Sequence, residues 1–182
     1  MMEVKKIFIF LITGFEEIEA VATADILRRG GLDVCTISLT DSPVVVGGHG
    51  VPVTADAMFG DEDYSVARML VLPGGTVKIN EHDGLKTLIL EHADAGGKVA
   101  AICAAPMVLG GLGLLRGKCA TSYPGFEKYL TGATFVPDPV VVDGDIITGR
   151  GPGFTPDFAL EIIRQLEGAE KAGEVALELL LK

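Results

Sequence analysis

Short runs of β-branched and aromatic residues alternate along this chain with longer segments in which apolar residues recur every three or four positions. That alternation predicts an α/β domain built on a mainly parallel sheet. Residues 5–12 read as a first buried strand, and residues 16–29, EEIEAVATADILRR, as a helix stopped by Gly30 and Gly31. DVCTISL (33–39) predicts a second strand, and the glycine-rich VVVGGHGVPVTADA a small hairpin at a sheet edge. ARMLVLPGG (67–75) reads as a strand ending in a turn, GLKTLILEHADAGG (84–97) as an amphipathic helix, and KVAAI (98–102) as a strand running into AAPMVLGG, a helix that its glycines weaken. VVVDGDIITG predicts a hairpin around Asp143 and Gly144, whose residue types tolerate the positive φ of a tight turn. Two helices, 154–168 and 169–182, close the pattern, with no internal repeat or linker.

The 182 residues suffice for one domain over 1–182 that buries roughly 70% of its unfolded surface. Fifteen Lys and Arg against 25 Asp and Glu give a formal charge of −10, which repels nucleic acid and anionic membranes. The apolar run Ile7–Ile12 is too short for a secretory signal, lacks an A-x-A-like cleavage site and is followed by acidic residues. Cys35, Cys103 and Cys119 are odd in number and form no CxxC pair, so neither a disulfide framework nor a zinc site is expected, and a reducing cytosol suits them.

Cys103 occupies a distinctive place, where the strand-like KVAAI gives way to a helix-like run. In a nucleophile elbow the reactive residue sits on a strained strand-to-helix turn, and small residues two positions to either side let the elements approach; Ala101 and Ala105 meet that need. The following helix offers unpaired N–H groups that favour a thiolate, and from Ala104 onward they can hold an oxyanion. The opposing reading is a small buried hydrophobe, and local position leaves both open. For Cys35 and Cys119 the structural reading stands.

Two further segments bear on the choice. Gly74 and Gly75, directly after a strand in LVLPGGT, let the backbone turn closely around a ligand and make Gly75 a second candidate oxyanion donor. TGFEEIEA puts three carboxylates in one helical turn. Compensation of the helix dipole accounts for Glu16 and Glu17. Glu19 falls beside a face predicted from Ile18, Val21, Ala22 and Ile26, where a desolvated carboxylic acid could donate to a thiolate or move a proton. The residues alone do not choose among the three.

Together GFEEIEA, ADILRRGG, VLPGG, AAICAAP and GRGPGFTPDFALEII, in that order and spacing, resemble the ThiJ/PfpI superfamily over essentially the whole chain, in its protein deglycase branch. The resemblance implies a flavodoxin-like three-layer sandwich, a homodimer, a reactive Cys103, a protonated Glu19 contacting it, and an oxyanion site from the N–H groups of Gly75 and Ala104. It also implies that Arg29 and Arg150, with Gly151 and Pro152, line or support the site or the dimer. Many relatives carry histidine before a proline where this chain has Tyr123 and Pro124. A tyrosine is a poor base at neutral pH, so Tyr123 is expected to line the pocket and Glu19 to do the proton work.

The histidines separate mechanisms. Class I glutaminases need a histidine downstream of the cysteine, and the last one here is His92; the protease branch places histidine directly after the nucleophile, where this chain has Ala104. His49, His82 and His92 read as surface or packing residues, although the His49 loop could reach a dimer partner. The resemblance implies a cysteine-dependent enzyme acting on reactive carbonyls or glycated protein or nucleotide, releasing 2-hydroxy acids with no metal or organic cofactor. The alternative is a redox-responsive chaperone or sensor that uses the oxidisable Cys103.

Overall fold

The computed structural model describes residues 5–181; Met1–Val4, and Lys182 at the end of the predicted last helix, lie outside the described residues. The strands in chain order are β1 (Lys6–Leu11), β2 (Val34–Ser38), β3 (Val44–Val46), β4 (Pro52–Thr54), β5 (Ala57–Met58), β6 (Ala67–Leu72), β7 (Lys98–Ile102), β8 (Cys119–Ala120), β9 (Thr134–Phe135), β10 (Val140–Asp143) and β11 (Ile146–Gly149). The helices are α1 (Thr23–Arg29), α2 (Asp83–Asp94), α3 (Pro106–Gly111), α4 (Thr155–Glu167) and α5 (Ala169–Glu178).

Seven strands form one sheet in the order β10-β11-β7-β6-β1-β2-β5, parallel throughout except for the β10–β11 hairpin. β1 is central because its alternating side chains are apolar on both faces: Ile7, Ile9 and Leu11 enter one core and Phe8 and Phe10 the other. The first core is covered by α1, α4 and α5 through residues such as Leu27, Phe158 and Val175, and the second by α2 and α3 through Leu85, Ile89 and Val108. The result is the expected three-layer flavodoxin-like sandwich. Chain direction diverges between β1 and β6, since β1 leads outward to β2 on one side and β6 to β7 on the other. In such sheets the carboxyl ends of the diverging strands enclose the ligand crevice.

Three local expectations change. The glycine-rich segment forms a separate two-stranded sheet, β3 with β4, while the short β5 occupies the edge of the main sheet. Val44 and Val46 are exposed and only Val45 is buried, so this hairpin lacks the two apolar faces that a strand inside the main sheet needs. β8 and β9 pair in parallel in a region whose strands are too short to leave a periodic signal. The predicted helix over 16–29 begins with a π-helical turn, Ile18–Ala22, before the regular α1.

Candidate active site

Cys103 follows β7 directly and adopts φ 65°, a left-handed conformation that costs a non-glycine residue on the order of 1–3 kcal/mol. The surroundings fix it there. Its N–H donates to Gly149 O at 2.9 Å, its carbonyl accepts from Tyr123 N at 2.9 Å, and Ala101, Ile102 and Ala105 on either side are almost completely buried. The turn is the predicted elbow, with the thiol at the carboxyl edge of the sheet and 7% of the residue exposed.

Glu19 reaches this thiol from the diverging side of the crevice. It lies on the π-helical turn with no exposed surface, and such turns, which wind one residue wider than an α-helix, recur at functional sites. The face is not the one the apolar spacing suggested: Ile18 is 56% and Val21 48% exposed, while Glu19, Ala20, Thr23, Ala24, Ile26 and Leu27 are buried. The α-helical period fails to predict this because the π turn rotates the residues before Thr23 relative to those after it. One Glu19 oxygen, Oε2, accepts from Gly74 N at 2.7 Å, while Oε1 is buried without an oxygen or nitrogen partner.

The glycine pair closes the site against this carboxyl. A Cβ on Gly74 would lie 2.7 Å from Cys103 Cβ, 2.9 Å from Glu19 Oε2 and 3.0 Å from Ala104 N, so only glycine lets the three meet. Gly75 has φ +96°, and a Cβ there would lie 2.3 Å from Glu16 N. The N–H groups of Gly75 and Ala104 lie near enough to the Cys103 thiol to favour its ionised form.

Burial dominates the electrostatics. Desolvation pushes the Glu19 carboxyl up to about 7, with nearby Glu16 adding to the rise and the Gly74 N–H and the thiol opposing it. Burial also pushes Cys103 up to about 12, reinforced by the Glu19 charge and opposed by the Ala104 and Gly75 N–H groups. The two groups titrate as a pair. When one proton has left, the other is shared between acid and thiol: the Ala104 and Gly75 amides favour the thiolate, and the Gly74 amide favours the carboxylate.

Cys103, Glu19, Gly74, Gly75 and Ala104 thus come together. Tyr123 joins them through its backbone, and its ring, in a residue 45% exposed, packs near Gly151, whose Cβ would lie 3.1 Å from Tyr123 Cδ2. A cavity of about 280 Å³ is lined by Tyr123, Pro124, Arg150, Gly151, Pro152 and neighbours. The Arg150 guanidinium lies over the Phe135 ring at 5.7 Å, with Nη1 buried and unpartnered. Arg29, expected to line or support the site or the dimer, lies away from Cys103. It ends α1, which runs back from the crevice to the opposite end of the sheet, and it pairs with Asp25 at 2.9 Å and Glu178 at 2.6 Å.

Other residues take roles the sequence did not disclose. Glu17 is more than a dipole partner, because its Oε1 accepts from His49 N at 2.6 Å and its Oε2 contacts His49 Nδ1 at 2.9 Å, fastening the β3–β4 hairpin over the site loop. Burial alone would raise the Glu17 carboxyl, but the His49 side chain and backbone hold it down to about 2. Among the described residues, Glu16, Glu17 and His49 place potential metal-ligating atoms within 4.8 Å of one another. Those carboxylates already accept from the Glu19 and His49 amides. Cys35 is buried as expected, but Cys119 is exposed, since the two-residue β8 lies outside the main sheet. His82 caps α2 by accepting from Leu85 N at 3.0 Å, and His92 Nε2 lies 3.1 Å from Lys98 O.

The flavodoxin-like sandwich thus carries, at the carboxyl edge of its sheet, a thiol on a strained strand-to-helix turn with a buried carboxyl and the Gly75 and Ala104 amides beside it. Residues 5–165 match the DJ-1/PfpI family, and the chain belongs to that family. It is 43% identical over 184 residues to protein DJ-1 homolog A of Arabidopsis thaliana, covering 98% of this chain but 47% of that protein; the chain therefore spans about half the length of this plant relative. It is 32% identical over 169 residues to glutathione-independent glyoxalase DJR-1.2 of Caenorhabditis elegans, covering 91% of this chain and 90% of that one. The crystal structure of Drosophila melanogaster DJ-1beta superposes with a TM-score of 0.90 at 37% identity, over 98% of each chain.

Proposed function

We propose that this protein is a cofactor-free enzyme that converts reactive dicarbonyls, and early glycation adducts derived from them, to 2-hydroxy acids. The observation that carries this reading is the buried Glu19 carboxyl held near neutrality beside Cys103, with the Gly75 and Ala104 N–H groups on the same thiol. The C. elegans relative named as a glyoxalase supports it.

With methylglyoxal, Cys103 thiolate adds to the aldehyde carbon, and the resulting alkoxide is held by the Gly75 and Ala104 amides. Glu19 moves the proton from that carbon to the neighbouring one through an enediolate, which turns the adduct into a thioester of lactate without any external oxidant. Water then cleaves the thioester, releasing lactate and the thiolate. Purified protein is expected to form lactate from methylglyoxal in the absence of glutathione, measured by enzymatic lactate assay. If neither methylglyoxal nor glyoxal is consumed, while peroxide adds two oxygens to Cys103 and changes protection of a client protein, the redox reading replaces this one.

The proposal includes a homodimer. Ile18, Val21 and Val51 are 56%, 48% and 50% exposed and line a mainly apolar hollow with Ala22, Glu17 and Asp25, and Val44 and Val46 of β3 are exposed as well. Exposed apolar surface of this kind is what a self-complementary two-fold contact would cover. Ile18→Glu is expected to sediment as a monomer and the parent as a dimer; equal sedimentation coefficients would refute this face. No described helix is long and apolar enough to cross a membrane, and we place the activity in the cytoplasm.

A further inference from the structure

Three hydrogen bonds close a ring around the crevice. Glu16 N donates to Gly74 O at 2.9 Å, Gly74 N donates to Glu19 Oε2 at 2.7 Å, and Glu19 N donates to Glu16 Oε2 at 2.7 Å. Glu16 is the member that belongs to both halves: its backbone stitches the loop after β1 to the glycine turn after β6, and its carboxylate accepts from the Glu19 amide in the π-helical turn. Only 9% of Glu16 is exposed, so this is not a solvated acid offsetting a helix dipole. Two carboxylates are instead kept within one small ring, an arrangement that is costly unless one of them holds a proton.

We infer that Glu16 is a positioning residue, whose carboxylate closes the turn that delivers Glu19 to the thiol and whose negative charge keeps the shared proton on Glu19 rather than on Cys103. The inference rests on the proposed role of Glu19 as the acid partner of Cys103. Geometry gives Glu16 the shorter path to Glu19, through the Glu19 amide, so its charge opposes ionisation of Glu19 more than ionisation of the thiol. The other groups around Glu19 do not substitute for it. The β6 turn offers the Gly74 amide, the elbow after β7 offers Cys103, and α4 presents apolar Phe158 and Ile162 to the core that includes Ala20. Glu17, the remaining acid of the loop, is engaged by His49 and the hairpin.

The test is the pH dependence of Cys103 alkylation by iodoacetamide, followed by mass spectrometry on the whole folded protein, which reads the thiolate without reference to any substrate. In the parent the rate rises as the first proton leaves the pair and then reaches a plateau. Glu16→Gln keeps an acceptor for Glu19 N but removes the charge. Its onset is expected to move to lower pH by about half a unit or more, and its plateau to fall severalfold because more of the remaining proton sits on the thiol. Glu16→Ala, which also loses the acceptor, is expected to fall further. A purely structural role would lower the plateau without moving the onset, so an unmoved onset in Glu16→Gln overturns the inference. Glu19→Gln run alongside separates the two levels: if it abolishes the near-neutral onset while Glu16→Gln leaves that onset in place, only the role of Glu16 fails. If Glu19→Gln also leaves it in place, the acid-partner reading fails and this inference falls with it.

Discussion

Cys103→Ser is expected to fold normally and to lose methylglyoxal turnover by about a thousandfold or more. One sulfur becomes one oxygen, so volume, elbow and main-chain bonds to Gly149 and Tyr123 stay as they are. The new hydroxyl also finds partners, since Glu19 and the Ala104 and Gly75 N–H groups surround that position. What disappears is the nucleophile: an alcohol is many orders of magnitude less acidic than a thiol, so the serine hydroxyl does not ionise at neutral pH and no counterpart of the thiolate forms beside Glu19. Thermal melting within about 1 kcal/mol of the parent, together with lost lactate formation, is the expected pair of results. Equal turnover by parent and variant would remove Cys103 from the reaction.

The long strands of the main sheet and the turn at Cys103 were legible because both rest on strong local signals. β1 is apolar on both faces, β7 ends at a cysteine framed by alanines, and Asp143–Gly144 marks a turn in which Gly144 takes φ 62°. Glu19 was legible only through resemblance. Its burial depends on the π-helical turn, which inverts the faces expected from the spacing of Ile18 and Val21, and a single inserted residue of helix leaves no trace in a period of 3.6. Arg29 illustrates the reverse case. Its motif placed it in the family pattern, but the helix it ends carries it to the far end of the sheet, where Asp25 and Glu178 take its charge. The Glu16–Gly74–Glu19 ring and the Glu17 latch on His49 join segments 55 and 32 residues apart, and no local pattern encodes contacts of that span.

Glu19→Gln is expected to make the protein more stable at pH 8 while impairing it as a catalyst. In the unfolded chain a glutamate titrates at its ordinary value near 4.5, and in the fold burial holds Glu19 at about 7. Between those values the folded state binds more protons than the unfolded one, so the stability contributed by this residue falls as pH rises through that window. Above it the full penalty applies, on the order of 3 kcal/mol for a difference of this size. Glutamine cannot ionise, and its amide oxygen can still accept from Gly74 N. The urea midpoint of Glu19→Gln should therefore exceed that of the parent at pH 8, and the gap should close as pH falls below 5. A gap that is the same at both pH values would show that Glu19 is not held protonated by burial. The same substitution removes the near-neutral onset of thiol reactivity, because the thiol is left buried without an acid to share its proton. A fold that retained Glu19 for stability would gain from losing its charge, whereas one that uses it to poise Cys103 accepts the cost at the pH where the thiolate is needed.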